Sequence, residues 1–366
     1  MFAFFKLIGY TGVETITHNK FMDRMGKMKI LNTSIKIRDI ELKNRLVMPP
    51  MAISKASDTG EATSKTLNYY DEKSYGGYIG LIIAEHSYVS QEGKASKGQL
   101  SISKDSDVSG LEKIVSLVHK NGTKIMAQIN HAGAATTYET TGLEQFSASA
   151  VRMPKGSLTA PKGNLTGTFP SEMDAADIKK VTYDFTKAAV RAQKAGFDGV
   201  EIHSAHGYLL NQFYSPLMNQ RTDQYTGSTI DGRIRLHLEI IQSIRTAVGE
   251  DYPIALRLGT CDYMPGGSTI EDSIYAVKAF EKAGIDLIDI TGGFCGYINP
   301  NSRKQGYFDE LSKAIKDNVS IPVILTGGIT DAKEAETLLE QEKADLIGVG
   351  RAILRDSNWA KKAMDS

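Results

Sequence analysis

The segment VEIHSAHGYLLNQFYSPLMNQRTDQYTGS, residues 200–228, brings two histidines and a tyrosine close together: His203, His206 and Tyr208. Two imidazole donors can hold a carbonyl oxygen and stabilise the negative charge that develops on it. A nearby phenol can then deliver a proton to carbon. The histidines could also be metal ligands, but no third His, Cys or carboxylate lies at a convincing local spacing, so we expect no metal site.

Polar side chains also occupy one face of three apolar segments. Gln128 lies within KIMAQIN (124–130), Glu201 and His203 within FDGVEIH (197–203), and Arg257 within PIALRLG (253–259). Successive side chains of a strand point to opposite faces, so all four point inward if the apolar faces meet helices. Buried charges are costly unless they are paired or used, and a site explains them. A purely structural Glu201–Arg257 ion pair is the alternative.

Glycines cluster where three later segments end, as TGG (291–293), TGG (326–328) and GVGR (348–351). Turns need glycine anyway, so one such pair indicates little. Barrel phosphate sites, however, are typically built by the loops after strands seven and eight, where bare backbone N–H groups hold an anion. Arg351 would add a fork-shaped charged clamp. The pattern therefore predicts a ligand that carries a phosphate.

Eight short apolar runs alternate with segments of helical period and must position these residues. They are RLVMPP (45–50), GYIGLIIAE (77–85), KIMAQIN (124–130), FDGVEIH (197–203), PIALRLG (253–259), DLIDITGG (286–293), IPVILTGG (321–328) and ADLIGVG (344–350). Eight β-then-α units predict an α/β fold, the (β/α)₈ TIM barrel, with active-site residues at the carboxyl ends of the strands. Four of the seven histidines fall at or just past such ends: His86, His131, His203 and His206. A doubly wound open sheet is the alternative fold.

The chain divides into an N-terminal appendage, residues 1–29, and a barrel, residues 30–366. Residues 34–44 alternate like a hairpin that could plug the barrel floor. The stretch 131–173 after the third strand is rich in Gly, Ser, Thr and Pro and is too long for a plain connector. Such loops usually cover the mouth of a barrel, so we expect this one to lie over the active site.

Composition narrows the class of protein and its partners. Lys plus Arg equals Asp plus Glu at 43 each among 366 residues, so nothing indicates nucleic acid or an anionic membrane as partner. No apolar run approaches the length of a membrane span. Two cysteines without a CxxC argue for the reducing cytoplasm and against a disulfide scaffold or a cysteine-built metal site. A small molecule remains as the expected substrate.

Residues 200–228 resemble the Old Yellow Enzyme signature, in which H-x-x-[HN]-G-Y-L-x-x-x-F is followed by S-P-x-x-N-x-R-x-D-x-Y-G-G-S. The resemblance continues through four further motifs: KNRLVMPPM (43–51), QINHAG (128–133), RLGTCDYMPGG (257–267) and GVGRAIL (348–354). It covers about residues 30–366, and motifs of this length and order rarely arise by chance.

The resemblance implies an FMN-dependent oxidoreductase that takes electrons from NADH or NADPH and reduces the C=C bond of α,β-unsaturated carbonyl compounds in a ping-pong cycle. His203 and His206 would hold the carbonyl oxygen, and Tyr208 would protonate the α-carbon. Gln128 and Arg257 would bind the flavin's pyrimidine edge. The residues expected along the isoalloxazine are Pro50, Met51, Ala52 and Ala84. Those expected around the phosphate are Gly293, Gly327, Gly328, Gly350 and Arg351.

Three departures from the family pattern are Ala52 where many members have Thr or Cys, Ala134 where Arg or Lys is common, and YTGS (225–228) in place of Y-G-G-S. Because the Thr or Cys at the position of Ala52 tunes the flavin in many members, the redox potential of the flavin in this protein is not predicted. Without clustered cysteines, we expect the short family type that lacks an iron–sulfur domain. Barrels of this kind commonly associate, so we expect a homo-oligomer. Two alternatives are another FMN-barrel enzyme acting on a non-enone substrate, and a flavin-binding module without catalysis.

Overall fold

The computed structural model describes residues 29–160 and 169–366. The predicted appendage, residues 1–29, lies almost wholly outside them. The strands are β1 (Ile35–Ile37), β2 (Ile40–Leu42), β3 (Leu46–Met48), β4 (Leu81–Ile83), β5 (Ser87–Tyr88), β6 (Lys124–Asn130), β7 (Phe146–Ser147), β8 (Ser171–Glu172), β9 (Gly199–Ser204), β10 (Ile254–Gly259), β11 (Leu287–Thr291), β12 (Val323–Thr326) and β13 (Leu346–Gly348). The helices are α1 (Ser64–Ser74), α2 (Val108–Lys120), α3 (Tyr138–Thr141), α4 (Ala175–Lys194), α5 (Leu209–Tyr214), α6 (Ile230–Val248), α7 (Ile270–Ala283), α8 (Asp309–Lys316), α9 (Ala332–Glu340), α10 (Arg351–Arg355) and α11 (Trp359–Asp365).

Eight parallel strands close into a barrel. Strands β3, β4, β6, β9, β10, β11, β12 and β13 pair in chain order, and β13 pairs back onto β3. Helices separate successive strands and cover the outside, which confirms the (β/α)₈ prediction. The doubly wound alternative is wrong, because an open sheet has two edge strands, whereas each of these eight strands pairs with two neighbours.

Local sequence explains the long helices. Helix α4 buries the stripe that the sequence predicts, including Ile178, Val181 and Phe185, against the barrel. Helix α7 begins with a capping box, in which the Thr269 hydroxyl accepts from the Asp272 amide. It ends at Gly284, whose φ of 112° suits a left-handed C-cap.

The barrel interior has an apolar floor and a polar top. The floor cluster joins Val47, Leu81, Ile83, Met126, Ala255, Leu287, Ile324 and Leu346 to the hairpin residues Ile37, Ile40 and Leu42. The β1–β2 hairpin therefore plugs the bottom, as its alternation predicts. Two residues further along three of the strands, polar side chains replace the apolar ones: Gln128 follows Met126, Arg257 follows Ala255, and Asp289 follows Leu287. Within the described residues, no helix is long and apolar enough to cross a membrane.

Candidate active site

The strand β9 and the turn after it present the histidines and the tyrosine. His203 is buried within β9, while His206 and Tyr208 are partly exposed. His206 adopts a left-handed φ of 59° and Gly207 follows at 75°. A non-glycine residue in this conformation costs on the order of 1–3 kcal/mol and persists only where its surroundings impose it. Here the Asn211 side chain accepts from the Gly207 amide at 2.7 Å, and Gln212 Nε2 donates to the Gly207 carbonyl at 2.7 Å.

The three side chains converge at the barrel mouth. The ring centroids of His203 and His206 are 5.1 Å apart, with planes inclined by 82°. The Tyr208 ring lies 5.2 Å from His203. Nδ1 of His203 is buried without a partner in the described residues, whereas His206 Nε2 lies 2.9 Å from the Thr291 hydroxyl. The predicted His203–His206–Tyr208 group is thus a spatial cluster as well as a sequence cluster.

Burial keeps this cluster uncharged. Desolvation, with the neighbouring His206 and Arg257, holds the pKa of His203 well below its usual range. Burial and then Arg257 do the same to the pKa of His206. Burial raises the pKa of Tyr208 to about 12, so its phenol keeps its proton at neutral pH. The site therefore offers neutral imidazoles and a protonated phenol beside a fixed positive charge.

Beneath the cluster lies a network of buried charges. Gln128 Nε2 donates to Glu201 Oε1 at 2.7 Å, and Arg257 Nε lies 3.2 Å from Asp289 Oδ2. The Glu201–Arg257 ion pair considered from sequence is therefore wrong, because register places Asp289 of β11 directly beside Arg257. Burial raises the pKa of Asp289 to about 6. Burial and the Asp289 charge raise the pKa of Glu201 well above its usual value.

The network leaves groups free for a planar heterocycle at the mouth. Within the described residues, the terminal NH₂ groups of Arg257 and Oε1 of Gln128 make no hydrogen bond. Together they offer donors and an acceptor, the complement of a flavin pyrimidine edge, which carries both kinds of group. These two residues fit the flavin that the resemblance implies.

The loops after β12 and β13 fit a phosphate. A Cβ on Gly328 would come 2.6 Å from the Tyr307 ring at a φ of 66°, so this position disfavours a side chain; a Cβ on Gly350 would come 2.9 Å from Met51 Sδ, which would have to shift. The exposed Arg351 guanidinium lies above this bare backbone and donates to the Tyr307 hydroxyl at 3.1 Å. Gly327, the neighbour of Gly328, is buried beside the same tyrosine.

The remaining predicted cofactor residues differ in their surroundings. A Cβ on Gly293 would lie 2.0 Å from Asp262 Oδ1, so this glycine also has a structural explanation. Pro50 and Met51 are partly exposed and Ala52 is exposed, in the loop after β3. Ala84 is 3% exposed and packs in the cluster between barrel and helices. The flavin contacts proposed for these residues stay predictions.

The long loop after β6 packs onto the site. The Thr159 hydroxyl donates to the His206 carbonyl, and the Leu158 amide donates to the Phe294 carbonyl at 3.3 Å. Met153 and Phe294 form an apolar cluster against which Tyr208 packs. Met153, Leu158 and Thr159 of this loop therefore lie against the turn that carries His206 and Tyr208, while residues 161–168 lie outside the described chain.

Asp289 and Thr291 contact the site although the sequence did not predict them there. His131, which also follows a strand, does not belong to the site. Asp289 shares its strand parity with Leu287, a pattern that could have identified it as inward-facing. Thr291 had no local signal, because its contact with His206 spans 85 positions. His131 is buried away from the cluster and accepts from the Gly133 amide at 3.1 Å. Within the described residues, no group of three or more His, Cys, Asp or Glu could hold a metal ion.

A closed parallel barrel with glycine-containing loops and an exposed arginine beside a polar mouth is typical of barrel enzymes that hold a phosphate-bearing cofactor at the carboxyl ends of their strands. Residues 31–366 match the model of the NADH:flavin oxidoreductase / NADH oxidase family. The chain therefore belongs to this family of oxidoreductases. FMN is its cofactor.

Individual relatives agree with the family assignment. A protein named NADH oxidase from Thermoanaerobacter brockii is 38% identical over 90% of this chain and 50% of its own length. A protein named NADPH dehydrogenase from Clostridium acetobutylicum is 36% identical over 90% of this chain and 92% of its own length. The chain thus spans about half the length of the first of these relatives and nearly all of the second.

Among solved structures, an Old Yellow Enzyme homologue from Zymomonas mobilis superposes with a TM-score of 0.78. It is 26% identical, with 92% of each chain covered. The Old Yellow Enzyme resemblance inferred from the signature is therefore confirmed.

Proposed function

We propose that the protein is an NAD(P)H-dependent ene-reductase, which reduces the C=C bond of small α,β-unsaturated carbonyl compounds. The observation that carries this proposal is the convergence of His203, His206 and Tyr208 at the barrel mouth, with ring centroids about 5 Å apart. A barrel that only stores flavin has no need of such a group.

The histidine pair is suited to hold the carbonyl oxygen. Both imidazoles are neutral because burial and Arg257 lower their pKa values, so each has one N–H to donate. Donors fixed in a low-dielectric site stabilise the negative charge that the oxygen gains as the bond is reduced. The nearby Arg257 charge acts in the same direction.

Tyr208 is suited to complete the reaction. When bound, FMN supplies hydride transfer from the nicotinamide to the β-carbon of the acceptor. The electron pair of the C=C bond then lies on the α-carbon and the carbonyl oxygen. Tyr208 gives its phenolic proton to the α-carbon and regains one from water. Because the pKa of the phenol is about 12, Tyr208 stays protonated at neutral pH and can donate its proton once the α-carbon carries negative charge.

The proposal predicts that the purified holoenzyme consumes NADH or NADPH under anaerobic conditions when 2-cyclohexenone is present, with cyclohexanone as product. Cyclohexanone itself, which lacks the double bond, is the matched control and should support no consumption. Nicotinamide oxidation that requires oxygen and ignores the enone would contradict the proposal and favour the non-enone alternative.

A further inference from the structure

His86 is a third imidazole at the mouth that the proposed chemistry does not use. It follows β4 and is 9% exposed. Its ring centroid lies 5.4 Å from that of Tyr208 and 6.2 Å from that of His203. It therefore faces the space in which the proposed proton donor and the oxygen-holding histidine meet.

Gln99 fixes which nitrogen of His86 carries the proton. Gln99 Oε1 accepts from the Ala95 amide at 2.7 Å, and Gln99 Nε2 donates to the His86 carbonyl at 3.0 Å. These two contacts orient the amide, so the NH₂ group is the atom 2.6 Å from His86 Nδ1. Nδ1 must accept, and a neutral imidazole then carries its proton on Nε2.

The protonated Nε2 of His86 is open to a ligand. It makes no hydrogen bond within residues 29–160 and 169–366. The unpartnered His131 Nε2 and His237 Nδ1, by contrast, are sealed in the interior. Nε2 of His86 is not among those inaccessible atoms. A fixed N–H that reaches accessible space at a catalytic mouth has the geometry of a substrate contact.

We propose that His86 is a specificity-determining residue, whose Nε2–H binds a second oxygen of the acceptor. The inference rests on the proposed function. An acceptor whose double bond lies between two carbonyl groups would place one oxygen at His203 and His206 and the other at His86. The separation of the His86 and His203 rings is comparable to that of oxygens on opposite carbons of a six-membered ring.

The test compares two ligands that differ only in the second carbonyl, 2-cyclohexenone and 2-cyclohexene-1,4-dione. Their dissociation constants are measured by calorimetry on the oxidised holoenzyme without nicotinamide. His86→Phe keeps a ring of similar size but removes the donor. It should weaken dione binding about tenfold, the value of one hydrogen bond, and change enone binding less than about twofold. Tyr297→Phe, at the exposed ring 6.3 Å from His206, is the control and should alter neither.

Equal effects on both ligands, no effect on the dione, or a wild type that binds neither would overturn the inference. If His86→Phe fails to fold, Gln99→Met leaves His86 in place but removes the amide that fixes it, and should weaken the dione selectively. Independently, the ¹⁵N spectrum of histidine-labelled holoenzyme should show His86 protonated on Nε2, and the opposite tautomer would overturn the inference. Reoxidation of reduced wild type by the enone, measured separately, tells whether the proposed function itself stands.

Discussion

Replacing Tyr208 by Phe should slow the reoxidation of reduced enzyme by 2-cyclohexenone far more than its reduction by the nicotinamide. A positioned general acid contributes about 10²–10⁴-fold to a rate, and water is the only replacement once the phenol is lost. We therefore expect reoxidation to slow by at least about 100-fold. Reduction involves no proton delivery to carbon and should stay within about threefold of wild type, the usual scatter of such contributions.

The substitution is structurally mild. The Tyr208 ring packs against the cluster of Met153 and Phe294, and Phe retains that packing. Its hydroxyl makes no hydrogen bond to another described residue, so removing it leaves no buried partner unsatisfied. The loss of rate can then be assigned to the missing proton rather than to a disturbed fold.

Stopped-flow absorbance of the flavin measures each half-reaction separately. Tyr297→Phe is the matched control, because this tyrosine is 50% exposed on the rim near His206 and has no place in the proposed proton transfer. Equal losses in both half-reactions of Tyr208→Phe, or a comparable loss in the control, would refute the role of Tyr208 as proton donor.

Three further substitutions test the cofactor site and the fold. Arg351→Gln should weaken FMN binding about tenfold or more in fluorescence titration, as expected for a lost charged hydrogen bond, while Arg355→Gln at the other end of α10 should not. Asp289→Asn should raise the flavin potential by on the order of 30 mV, because Arg257 loses its counter-charge, and the difference should vanish below about pH 6, where the Asp289 carboxyl is protonated. His237→Phe should remove an acid sensitivity, because burial lowers the pKa of His237 to about 3.

The direction in which pH changes the stability difference between wild type and His237→Phe follows from the lowered pKa of His237. Above about pH 6.5 the imidazole is neutral in both states and adds no pH dependence. Below that, the unfolded chain binds a proton that the folded chain refuses, so wild type loses about 1.4 kcal/mol per pH unit relative to the variant until the folded pKa is reached. Urea unfolding at two pH values measures this loss of stability, and a difference between wild type and His237→Phe that stays constant with pH would contradict the prediction.

For Asp289→Asn, a flavin potential that differs from that of wild type by the same amount at all pH values would contradict the predicted pH dependence.

Strand parity predicted much of the site. The inward direction of Gln128, Glu201 and Arg257 follows from alternation within each strand, and alternation is a local property that one segment reveals. The floor hairpin is predictable for the same reason, since Ile35, Ile37 and the residues after them alternate.

The pairing of those residues was not predictable, because it depends on register between strands. Arg257 stands beside Asp289 only once β10 and β11 are aligned, and from sequence the one ion pair considered for Arg257 was the alternative with Glu201. Contacts between distant loops are equally hidden. Tyr307 meets Arg351 and Thr291 meets His206 because the barrel gathers all strand ends at one mouth, and no local pattern encodes either contact.

The most direct test of ene-reduction is the visible spectrum of the purified protein through one anaerobic cycle. The yellow holoenzyme should bleach when one equivalent of NADH or NADPH is added, and regain its colour when one equivalent of 2-cyclohexenone follows. Bleached enzyme that ignores the enone would contradict the proposed substrate class. A colourless protein that cannot be reconstituted with FMN would contradict the cofactor itself.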